Sequence, residues 1–79
     1  MKIDGIPTDT FYRMIADLGA EQWKIVSEYT GFDKGIDYDA VVLKKKGIKL
    51  RFVWVQHLDG SLEGLNAVLL ELRERYRLG

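Results

Sequence analysis

Apolar residues recur along this chain with two periods, and the change from one to the other divides it into elements. Phe11, Met14, Ile15 and Leu18 fall at i, i+3, i+4 and i+7, the apolar stripe of an amphipathic helix. Pro7 followed by Thr8, Asp9 and Thr10 supplies a start signal, because those side-chain oxygens can accept bonds from the free amides of a first turn. The spacing predicts a helix over residues 9 to 18, with Gly19 placed for the left-handed residue that ends it.

Beyond Gly19 the period shortens. Trp23, Ile25 and Tyr29 alternate with Lys24, Glu28 and Thr30, and five of the eight residues from Trp23 to Thr30 are β-branched or aromatic. Such side chains pack well on a pleated surface, so residues 22 to 30 read as a strand. Val26 and Tyr29 also fit a helical stripe, which leaves α-α-β-β-α as the alternative order. Gly31 to Asp37 reads as a loop, and a hairpin follows, with arms Tyr38 to Lys44 and Ile48 to Gln56. Lys45-Lys46-Gly47 joins the arms, glycine serving the positive-φ position of a bulged turn. Ile48, Leu50, Phe52 and Trp54 mark the core face of the second arm, and Lys49, Arg51, Val53 and Val55 the other.

After a turn at His57 to Ser61, the residues Leu62, Leu65, Leu69, Leu72 and Tyr76 return to helical spacing, with Val68 alongside. Gly60 and Gly64 both weaken a helix, so this element begins at residue 61 or only near 65, and residues 58 to 63 could instead extend the sheet. The pattern predicts a small α+β domain of order α-β-β-β-α: a three-stranded antiparallel meander with both helices packed on one face. No internal repeat or linker interrupts it, so residues 1 to 79 read as a single domain.

Composition narrows the function more than the fold. A chain of 79 residues buries only about 60 to 65% of its unfolded surface, so its core is thin. With no cysteine it has neither a disulfide framework nor a thiolate zinc site. No window reaches the length of a membrane span, and residues 1 to 7 hold no apolar signal-peptide run; a cytoplasmic protein with no membrane partner is the expectation. Twelve basic and twelve acidic residues cancel overall. They are not evenly spread: residues 1 to 40 carry four basic and eight acidic side chains, and residues 41 to 79 carry eight basic and four acidic.

The densest charge feature is Lys44, Lys45, Lys46, Lys49 and Arg51. A ridge of this kind can neutralise phosphates, and equally it keeps a hairpin soluble and its edge unpaired. The element order resembles that of the double-stranded RNA-binding domain. That family holds phosphates with a lysine-rich start to its last helix, whereas Asp59-Gly60-Ser61-Leu62-Glu63-Gly64 offers two acids and no base. The resemblance ends at order.

Other constellations fall short of their chemistry. Asp33, Asp37 and Asp39 could offer oxygen ligands, but counted from Asp33 the sixth position is Tyr38 and the twelfth Lys44, not the glycine and glutamate of a calcium loop. His57 has Asp59 and Ser61 near it in sequence, without a nucleophile elbow, and Asp-Gly-Ser is ordinary turn chemistry. No glycine-rich phosphate loop occurs, so no cofactor is expected. Tyr12 lies off the helix stripe and reads as outward, and Val26, Val53 and Val55 make the second sheet face partly apolar. The sequence therefore predicts a non-enzymatic interaction module. It would bind a protein partner or a second copy through an exposed sheet face or edge, with Tyr12, Val53 and Val55 as contact residues. The alternative is a nucleic-acid-binding domain using Lys44 to Arg51.

Overall fold

The computed structural model describes residues 1–78 and shows a five-stranded antiparallel sheet with two helices against one face. The elements are β1 (Lys2–Ile6), α1 (Thr8–Ala20), β2 (Lys24–Glu28), β3 (Tyr38–Lys45), β4 (Ile48–Val55), β5 (Asp59–Gly64) and α2 (Asn66–Arg75). Their spatial order, β1-β5-β4-β3-β2, makes β2 to β5 a meander and brings β1 back beside β5. The α+β class and the packing of both helices on the Leu50, Phe52 and Trp54 face agree with the sequence pattern. The sheet has five strands, however, instead of three.

Glycine hides the first added strand and blurs the second, which realises the alternative of residues 58 to 63 extending the sheet. In β1 the inward residues Ile3 and Ile6 stand three apart because the register shifts between them, with Gly5 at φ 68°. That bulge removes the alternation a strand would print on the sequence. In β5 the residues Gly60, Leu62 and Gly64 face the core, and two of them carry no side chain to reveal it. The space explains the glycine: a Cβ on Gly60 would overlap the Phe11 ring. With 59 to 64 a strand, helix 2 starts only at Asn66, Leu65 is its exposed cap, and the order is no longer that of the double-stranded RNA-binding domain.

Helix α1 also differs at its ends. It runs from Thr8 to Ala20 without a side-chain cap, and the Thr8 hydroxyl instead accepts a 2.9 Å bond from Trp54 Nε1. Gly19 lies inside the helix. The left-handed residue is Gln22 at φ 75°, with Gln22 N–H bonded to Gly19 O at 3.2 Å and Trp23 N–H to Leu18 O at 3.0 Å. These two bonds form a Schellman stop, and α2 repeats it with Arg77 at φ 54°, Arg77 N–H to Glu74 O and Leu78 N–H to Arg73 O. The β3–β4 connection is a two-residue turn, Lys46-Gly47, with φ of 51° and 80°, a type I′ geometry with no bulge.

The core comprises Ile3, Ile6, Val41, Leu43, Leu50, Phe52, Trp54 and Leu62 from the sheet with Phe11, Met14, Leu18, Leu69 and Leu72 from the helices. Helix α1 packs over β4 and β5, and α2 over β5 and β1. Helical cover is thus centred on β5, while all five residues of β2, at the far edge, are exposed. No helix among the described residues is long and apolar enough to cross a membrane.

Candidate interaction surface

Cross-strand register arranges the helix-free face of the sheet into rows. One row is Tyr38, Val55 and Asp59, the next Ala40, Val53 and Ser61, and the next Val42, Arg51, Glu63 and Lys2. The last is Lys24, Lys44 and Lys49, three ammonium side chains on three adjacent strands in direct register. Directly opposed Cβ atoms in a sheet are about 4.5 to 5.5 Å apart, and like charges at that distance are destabilising. None of the three makes an ion pair with a carboxylate among the described residues. The face is therefore a half-buried apolar strip of Ala40, Val42, Val53 and Val55 that ends in uncompensated positive charge.

The β2 edge continues that surface. Ile25 is 54% exposed and Val26 52%, and the register shift between Ile25 and Ser27 places a bulge at Val26. Beside it lies an open hollow of about 360 Å³, lined by Gln22, Lys24, Val26, Lys44, Lys45 and Lys46. Its walls are the aliphatic stems of the lysines together with Val26, a lining that is apolar below and cationic at the rim.

At the other end of β2, residues 29 to 37 form a tightly bonded loop. Ile36 N–H and Asp37 N–H both reach Asp33 O, Lys34 N–H reaches Gly31 O, and Gly35 N–H reaches Tyr38 O at 2.9 Å. The Tyr29 hydroxyl donates to Asp33, and the Tyr29 and Tyr38 rings meet edge to face. A Cβ on Gly31 would overlap the Tyr29 hydroxyl, which is why the chain can close there. One ion pair ties the loop to the core: Lys34 Nζ donates to Asp39 at 2.7 Å. Asp39, 4% exposed, is the one buried charged residue among those described, and it also accepts from Tyr12 Oη at 2.8 Å and from Ala40 N–H at 2.9 Å. Burial alone would raise the Asp39 carboxyl. The bonds from Lys34 and Tyr12 outweigh it and hold the group below its ordinary value. Burial, and then the bond to Asp39, push the Tyr12 phenol up to about 12. The tip of this braced loop presents Phe32 at 99% exposure, with Ile36 exposed beside it.

The residues singled out from the sequence fall into separate groups. Val53 and Val55 share the helix-free face, but Tyr12, bonded to inward-facing Asp39, lies on the helix side and does not join them. Lys44, Lys49 and Arg51 stand on the helix-free face. Lys46 is in the turn, and Lys45 points the other way, its Nζ bonded to Glu21 O at 2.8 Å. Asp33 and Asp39 are held by different partners, and the Ser61 hydroxyl donates to Val53 O at 3.4 Å. Sequence reasoning overlooked Lys24, which joins the lysine row only through β2–β3 pairing, and it overlooked Phe32. The available signal for Phe32 was a lone aromatic amid Gly31, Asp33, Lys34 and Gly35, where no core face can form.

No protein-family model, curated protein or solved structure matches this chain.

Proposed function

We propose that this chain is a small non-enzymatic interaction domain that binds a protein partner or a second copy of itself through the β2 side of its sheet. The observation that carries the reading is the asymmetry of cover: apolar residues on β2 and the adjoining loop stand in solvent at the edge farthest from both helices. Exposed apolar side chains grouped at a strand edge and backed by a half-apolar sheet face are a usual mark of association surfaces. The braced loop supports it, since a loop backbone already tied down loses little further freedom on binding.

Affinity capture from nuclease-treated source lysate, together with light scattering of the purified chain, tests the reading. Val26→Asp and Val53→Asp should abolish the captured partner or the self-association while circular dichroism stays unchanged. Capture and mass that are both indifferent to these substitutions would overturn it.

The lysine row favours a second reading, binding of a polyanion such as nucleic acid across Lys24, Lys44 and Lys49. Neutralising three phosphates gives an expected log–log salt slope of about −2 to −3. Binding that ignores salt, or survives Lys24→Glu with Lys44→Glu, excludes it.

A further inference from the structure

We infer that the partner of the β2 edge is the β2 edge of a second copy, the two strands running antiparallel about a twofold axis. The inference rests on the interaction-domain reading and names its occupant.

Three features of the surface are self-complementary under that one operation. The first is charge. The start of β2 is cationic, with Lys24, Lys44 and Lys46 around the hollow and the Lys45 ammonium turned to Glu21 O. Its end is acidic, with Glu28 followed by Asp33 and Asp37, while the loop's one lysine is already taken by Asp39. An antiparallel pairing lays the cationic end of each copy alongside the acidic end of the other, twice, whereas a parallel pairing would stack like on like.

The second is shape. The same rotation carries the Phe32 loop of each copy toward the hollow of the other. Phe32 is a fully exposed aromatic on a braced loop, and the hollow has lysine stems and Val26 as its walls and no aromatic or acidic residue in its lining. An aromatic ring against lysine ammonium groups gains cation–π attraction as well as burial.

The third is closure. Of the two sheet edges, β1 has Ile3 and Ile6 buried beneath the helices, and β2 has Ile25 and Val26 open on both faces. A lysine and a bulge on β2 discourage indiscriminate strand addition, so a partner must bring negative charge opposite Lys24. A second copy brings the acidic end of its own edge, Glu28 with Asp33 and Asp37, to that end of the strand. An isologous contact of this kind uses up the β2 edge of both copies and joins the sheets into one of ten strands with β1 at each end.

Sedimentation velocity from low to high micromolar concentration tests the pairing. The parent chain should pass from one chain mass to two. Lys24→Glu and Glu28→Lys, both at exposed positions, should each stay monomeric, weakened about tenfold or more, because each places like charges at the abutting ends of the two strands. Mixed in equal amounts, the two variants should recover the dimer, since the abutting ends of the two strands then carry opposite charge again. Phe32→Ala should weaken the parent dimer in the same assay. A parent that is monomeric throughout, or single variants that dimerise as the parent does, would overturn the inference. If that monomer still captures a partner lost on Val26→Asp, the interaction-domain reading stands and only its occupant is wrong.

Discussion

The two sides of the sheet are built on different principles. Around β5, every inward position meets a helix: Leu62 and Phe52 are fully buried, Phe11 fills the space above Gly60, and Leu69 and Leu72 close the far side. Around β2 the strand is held by pairing to β3 alone, the apolar side chains stand free, and the only buried charge in the described chain secures the loop that follows. Two short helices cannot cover five strands. The difference teaches that the helical cover is centred on β5 and that the β2 edge is left bare.

The sharpest way to break that comparison is to cut into each side in turn. Phe52→Ala removes a fully buried ring and should cost about 3 to 5 kcal/mol in chemical denaturation, a large part of the stability of so small a domain. An equal loss from Ile25→Ala would show that β2 belongs to the core after all. Asp39→Ala comes next, at about 1 to 3 kcal/mol, because Lys34 and the Tyr12 hydroxyl lose their acceptor. Its mark is greater protease sensitivity at residues 29 to 37, and unchanged digestion there would show that the ion pair does not brace the loop.

A smaller effect should appear at high pH. The folded Tyr12 phenol sits at about 12 against an ordinary value of 10, so the unfolded chain gives up this proton first. The stabilisation is complete below pH 10 and disappears as pH rises from 10 through 12. Phenolate absorbance should place Tyr12 among the late-titrating tyrosines, and Tyr12→Phe should remove that part of the alkaline stability loss. At the acid end the sign reverses: Asp39 is held below its ordinary 3.8, so its contribution is present above that value and is lost as pH falls beneath it. The smallest change is a gain. Lys44→Glu puts a carboxylate between Lys24 and Lys49 and should stabilise the domain by about 0.2 to 1 kcal/mol, a shift readable in the denaturation midpoint.

The hairpin and both helices were legible because their side chains repeat with a clean period: Leu50, Phe52 and Trp54 are all buried, and Phe11, Met14 and Leu18 face them. β1 was not, since a bulge breaks its period, and β5 was legible only as the alternative extension of the sheet over residues 58 to 63, because glycines blank out two of its inward positions. The helix stops at Gln22 and Arg77 were equally hidden, because left-handed residues other than glycine carry no compositional sign. On the surface, Val53 and Val55 could be assigned to one face by alternation alone. Lys24 could not be added to Lys44 and Lys49 without knowing that β2 pairs with β3 in that register. Nor could Tyr12 be separated from the valines, since its bond to Asp39 spans 27 positions.

The Lys34–Asp39 ion pair also bears on how the loop should open. A loop fastened only by its own turns opens independently of the domain, and its amides exchange with solvent on that fast local schedule. Here opening would strand a carboxylate that lies on the core side of β3, beneath Tyr12. The amides of Gly35, Ile36 and Asp37 should therefore exchange more slowly than their surface position implies. The loop carrying Phe32 should then move with the sheet, so that the geometry at its tip follows that of the fold itself.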